Sequence, residues 1–202
     1  RPLIMGVAYL MPSDVVNSTL LFYFVYLKGL ALGGAMAGVR LPQFPYVRQQ
    51  GAGAFVGFAL VLIYAARGRI AEVFSALRGD RGRSPALALL IIGAAAIVFV
   101  FWRLAGMSTP VISAYFTLLV LFALAVSRGR AETGYPHHWI WPLEEQRNLL
   151  INFAGTRALA PRGDFRSLTL MSMLNFMTRG YLPQLMAYPL EAFKIAGELQ
   201  VP

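Results

Sequence analysis

Cysteine is absent from the 202 residues, which removes disulfides, thiolate metal sites, iron–sulfur clusters and cysteine nucleophiles in one step. Charge is scarce as well: Asp, Glu, Lys and Arg make up 13% of the chain, against roughly 25% in soluble domains. Lysine occurs only at positions 28 and 194, and histidine only at 137 and 138. What replaces these residues is apolar, 57% of the total. A soluble domain of this length would bury a core yet still carry charged outer faces on its helices. The long uncharged runs here have no such faces, and they need lipid or other membrane helices around them.

A formal net charge of +9 raises nucleic acid as a partner, since clustered Lys and Arg neutralise phosphates. The distribution decides against it, because the arginines fall in short segments bordering the apolar runs, as in membrane proteins. Signatures of catalysis are also missing. There is no Walker glycine loop ending in Lys, no HExxH and no Gly-x-Ser-x-Gly elbow, and Ser108 in Gly106-Met107-Ser108 has no histidine near it in sequence. The chain is therefore read as a non-enzyme, with no catalytic residue, metal ligand or cofactor assigned.

A spanning helix needs about 20 predominantly apolar residues at a rise of about 1.5 Å each. Four segments meet this: 15–36, 49–66, 84–102 and 109–127. Ser13 is the expected cap of the first, with Asp14 in its positive first turn. Lys28 interrupts that run, but its aliphatic stem can carry the ammonium toward a headgroup. Between the second and third spans, 69–78 has apolar residues at helical spacing and reads as a surface helix. Gly106 to Pro110 reads as a tight turn, making the last two spans a hairpin.

The spans predict an all-α polytopic bundle, with a transmembrane region over 1–127. Beyond Arg128, the uncharged stretches 167–178 and 180–190 are too short to cross, so 128–202 reads as a region of short interfacial or re-entrant helices. Arg67, Arg69, Arg78, Arg81 and Arg83 in the middle loop, with Arg128 and Arg130 after the fourth span, place that loop and the tail in the cytoplasm.

Several residues could make contacts of consequence. Gly29 and Gly33, Gly34 and Gly38, and Gly53 and Gly57 stand four apart, a spacing that lets helix backbones approach closely within one bundle or against a partner helix. His137 and His138 lie beside Trp139 and Trp141; adjacent helical residues point about 100° apart and cannot readily grip one metal, so a headgroup-level belt explains them. Arg128, Arg130 and Glu132 form one charged cluster, and Arg157 and Arg162, with Arg166 beyond, form another. The first suits a solvated cytoplasmic boundary ahead of a solute or another helix, and the second suits anionic lipid headgroups or a specific substrate. Within the spans, Asn17, Ser18, Thr19, Tyr23, Tyr26, Tyr64, Tyr115 and Thr117 can line a path or bond neighbouring helices.

The order of RAETGYP after a spanning helix, then GTRALAPR, then LTLMSMLNFMTRGYLPQLMAYPLEAFKIAGE resembles a family of uncharacterised bacterial polytopic membrane proteins. AYLMPSDVVNSTLLFYF, FPYVRQQGAGAF and AGMS agree with corresponding family segments, so the resemblance covers most of the chain. It implies a bacterial inner-membrane location, a longer protein of which this is an internal or C-terminal portion, and a permease loosely like oligopeptide transporters. It carries no substrate and no functional residues.

Two functions remain in view. One is a transporter-like permease, with broken helices and short tail segments around a solute site. The other is a structural or accessory subunit of a larger membrane complex, with glycine faces and the Met-rich tail as packing surfaces. In either case the partners are the lipid bilayer and other membrane helices, from the same longer protein or from a complex.

Overall fold

A computed structural model of the chain describes residues 9, 12–39, 41, 44–78, 85–133, 146–175 and 187–199. Among them lie eight helices and no strand. These are α1 (Ser13–Met36), α2 (Val47–Ala65), α3 (Arg67–Ser75), α4 (Ala86–Leu104), α5 (Thr109–Thr133), α6 (Gln146–Leu159), α7 (Arg166–Met173) and α8 (Ala187–Glu198). Four of them, α1, α2, α4 and α5, are long and apolar enough to cross a membrane. The chain is a multi-pass membrane protein.

Helix α1 shows how local chemistry sets the ends. Pro12, extended at φ −55° and ψ 136°, occupies the N-cap position, and no side chain caps the helix. Ser13, the expected cap, instead forms the first helical residue, while Asp14 does sit in the first turn. The middle, Phe22–Lys28, is wound as a π-helix. At the other end the Gly38 amide donates to the Ala35 carbonyl at 3.2 Å and the Val39 amide to the Gly34 carbonyl at 2.9 Å. That is a Schellman termination, and it requires the left-handed φ of 70° that Gly38 adopts. Gly38 thus stops a helix, and its place in a packing face is not needed to explain it.

Of the remaining glycines in the proposed faces, Gly34 alone meets a neighbour. The Phe44 ring lies where its Cβ would be, whereas Gly29, Gly33, Gly53 and Gly57 have open space there. Replacing Gly34 with valine should therefore lower stability by about 1–3 kcal/mol through overpacking. Gly33→Ala should be neutral, or stabilising by up to about 1 kcal/mol through helix propensity. Denaturant titration in mixed micelles distinguishes the two variants.

Helix α5 is the hub. Of its apolar window 39% is buried, against 0% for α1, 11% for α2 and 6% for α4, and α2, α4, α6 and α8 all pack on it. On α2 the packing residues are Ala52, Phe55 and Val56, with Ala59 buried on the same face; Ala52 joins Phe122 and Val126 of α5 in one apolar cluster. One residue is a rotation of about 100°, so the alanine face that is used turns Gly53 and Gly57 away. Helix α4 returns to α5 through a turn in which the Met107 amide donates to the Trp102 carbonyl and the Gly106 amide to the Arg103 carbonyl. The Trp102 and Phe116 rings then meet across the hairpin with centroids 6.1 Å apart.

The tail helices pack along α5. Leu149 of α6 packs against the cluster of Phe122 and Val126, while Leu150, Ile151 and Leu159 pack with Val111, Ile112 and Tyr115. Helix α6 thus runs back down α5, antiparallel to it, and α7 continues to the N-terminal end, adding Met171 and Leu174 to the same core. These leucines do not form an uncharged run, because Arg147 and Arg157 interrupt it, yet one face of α6 is apolar and α5 buries it. The basic residues Arg157 and Arg166 consequently lie toward the end of α5 opposite Arg128 and Arg130, which changes the count of arginines on each side.

Candidate functional site

The side of α6 turned away from α5 is mixed, with exposed Phe153 beside several polar residues. Asn148 and Asn152 are four apart, and Thr156 follows four further on, with Asn152, Thr156 and Arg157 exposed. Between them Gly155 breaks the helix at φ 74° and ψ 156°, a backbone region essentially restricted to glycine. Its depth follows from register. Leu149 lies with Phe122 and Val126, and Gly155 is six residues beyond, or about 9 Å of helical rise. Ile151 before the break and Leu159 after it both pack in the cluster of Val111, Ile112 and Tyr115, so the break lies level with the first turns of α5, within its apolar stretch Thr109–Glu132.

Buried polar groups mark the two ends of the α5–α6 pair. At the C-terminal end of α5, Ser127 and Gln146 are 2% and 1% exposed, and Ser127 Oγ and Gln146 Nε2 find no hydrogen-bond partner among the described residues. One turn on, the Arg130 guanidinium stacks over the Tyr188 ring of α8 at 4.7 Å. Lys194 Nζ donates to the Ala131 carbonyl at 3.3 Å, a cation at the negative end of α5. Arg128 pairs with Glu132 at 2.5 Å across one helical turn, so α5 continues past the expected span end instead of stopping at Ser127.

At the opposite end, Ser167 of α7 is buried and its Oγ accepts from the Ser108 amide at 3.1 Å, just before α5 begins. The same Oγ donates to Ser108 Oγ at 3.3 Å. Arg103 donates to the Met107 carbonyl at 3.3 Å, and Asp164 accepts from the Arg166 amide at 3.0 Å. The two Ser108–Ser167 bonds fasten α7 to the α4–α5 turn, while the other two are local to the turn and to the start of α7. Removing the hydroxyl with Ser167→Ala should cost about 1 kcal/mol, since the Ser108 amide loses its buried acceptor. The same micelle titration measures it.

The sequence candidates do not converge on one place. Arg128, Arg130 and Glu132 lie at one end of α5, while Arg157 lies on α6 beyond the break. Arg162 belongs to the 3-10 turn Pro161–Gly163, and its side chain lies outside what the structure describes, as do His137 and His138 altogether. Among the described residues no three His, Asp or Glu side chains could hold a metal ion. The polar residues of α1 stay on its surface, with the Thr19 hydroxyl already donating to the Val15 carbonyl at 2.7 Å.

A model of a family of unknown function, DUF6785, matches residues 1–202, the full chain. The chain belongs to this family. No curated protein and no solved structure matches it.

In this DUF6785 chain the features that sequence reasoning missed are on α5 and α6: Ser127, Gln146, Asn152, Gly155 and Thr156. A partial signal was present, for Asn148 and Asn152 recur at helical spacing before the Gly155 break. A search for long uncharged runs passes over such a segment, because a helix buried on one side and mixed on the other has no such run.

Proposed function

We propose that this DUF6785 protein is a permease of the bacterial inner membrane, in which α6 flanks the path of a polar solute and no covalent chemistry is done on it. The observation that carries this reading is the break at Gly155, beside exposed Asn152 and Thr156 and within the apolar length of α5. Irregular backbone at membrane depth is tolerated only where protein buries it or water reaches it. Asn152 and Thr156 beside it are exposed, and lipid cannot satisfy their amide and hydroxyl. A water-filled path does, and interrupted helices are a common element of transporter solute sites. In this reading the middle loop and the C-terminal end of α5 face the cytoplasm.

The chain's lack of cysteine makes the test clean. Single substitutions Asn152→Cys and Thr156→Cys should react with a membrane-impermeant thiol reagent at least about tenfold faster than Leu90→Cys on the outer face of α4, because thiolate forms where water reaches. Equal, negligible labelling at all three sites would sink the permease reading.

A second reading, an accessory subunit of a larger membrane complex, is favoured by α1. None of its apolar window is buried, and a groove of about 690 Å³ runs along it, lined by Phe22, Val25, Gly29, Gly33 and Phe44 among others. Covering of that groove and of Asn152 by another chain is what this reading requires.

A further inference from the structure

Helix α6 carries two charges, Arg147 and Arg157, both positive, and neither α6 nor α7 contains an acidic residue. Arg157 is exposed, stands two residues beyond the Gly155 break, and has no ion-pair or hydrogen-bond partner among the described residues. Its neighbour Leu159 packs with Val111, Ile112 and Tyr115, so Arg157 belongs to the level of the first turns of α5, inside the span. An unmatched guanidinium there is costly. Snorkelling toward a headgroup would relieve Arg157 alone, but the short side chains of Asn152 and Thr156 and the broken backbone cannot follow it.

From this we infer that the solute is an anion, with a carboxylate or phosphate group that Arg157 engages as a specificity-determining residue. The inference rests on the permease reading. A planar guanidinium matches both groups with two parallel hydrogen bonds, and Asn152 and Thr156 on the same helix supply neutral donors for the rest of the molecule. The half-buried Arg147, before the break, adds a second positive charge on the same helix. A cationic solute would meet two like charges and no counter-charge on this helix.

A phospholipid headgroup offers the same phosphate chemistry, so the test has two arms. The full-length protein, with wild-type, Arg157→Gln and Arg157→Lys forms eluting alike in mild detergent, is reconstituted in phosphatidylcholine vesicles. Uptake is then followed for inorganic phosphate, succinate, glucose and lysine. The expected result is uptake of phosphate or succinate alone, reduced about tenfold or more in Arg157→Gln and partly restored in Arg157→Lys. Uptake of glucose or lysine that Arg157→Gln leaves unchanged overturns the anion inference while the permease reading stands. In the second arm, phosphate and succinate binding is measured by equilibrium dialysis, alongside retention of phosphatidylglycerol through purification. Anion binding that needs Arg157 without any uptake keeps the site and overturns the permease. Arg157-dependent retention of phosphatidylglycerol with no binding of free anions assigns the site to lipid and overturns the solute.

Discussion

Phe122→Ala is expected to destabilise the protein by about 2–3 kcal/mol, the cavity term for a large buried side chain. The ring is fully buried between Ala52 of α2 and Leu149 of α6, and it joins three elements at once. In water such a truncation costs about 3–5 kcal/mol, part of which is lost transfer from water. In a bilayer that part shrinks, because lipid tails are as apolar as the protein interior, and the loss is packing and cavity alone. Phe101 on α4 is the control. It is 59% exposed among the lipid-facing residues of that helix, and Phe101→Ala should change stability by less than about 0.5 kcal/mol. Denaturation in mixed micelles reads both, and equal effects would mean that Phe122 is not the packing centre.

That contrast shows which parts of the fold were legible in the sequence. The helices that cross a membrane announce themselves by uncharged runs, and α1, α2, α4 and α5 lie where such runs occur. Gly106 with Pro110 marked the turn before α5 for a local reason, since the chain must reverse within a few residues. What composition could not supply was which face of each helix is used. Ala52 and Ala59 pack on α2 while Gly53 and Gly57 meet nothing, although glycines are the stronger small-residue signal. The choice is made by the partner, Phe122 and Val126 of α5, and a partner is not visible in one helix's sequence.

The candidate site was harder to see for a related reason. From the sequence Arg157 reads as part of a basic cluster with Arg162 and Arg166 in a cytoplasmic-side tail. Helix α6 runs back along α5, since Leu149, Leu150, Ile151 and Leu159 find an apolar partner there. Arg157 therefore lies toward the opposite end of α5 from Arg128 and Arg130. Gln146 changes meaning in the same manner: a polar residue at a helix start in the sequence, it becomes a buried amide at the α5–α6 junction.

Gly155→Ala should have the second large effect, and thiol labelling beside it separates two accounts of the break. No atom lies within 4 Å of the Cβ that alanine adds, so sterics with neighbours contribute nothing. The cost is the backbone itself, on the order of 1–3 kcal/mol for an L-residue held at φ 74° and ψ 156°. The alternative for the chain is to straighten α6 through position 155, where alanine is favoured over glycine by about 1 kcal/mol. Straightening rotates 156–159 relative to 146–154 and pulls Leu159 from the cluster of Val111, Ile112 and Tyr115, so it exchanges strain for lost packing. Either way stability falls, and labelling of Thr156→Cys by the impermeant thiol reagent shifts only if the helix straightens. A Gly155→Ala variant as stable as wild type, with Thr156→Cys labelled as before, would show that the break is incidental and would remove the feature on which the solute path depends.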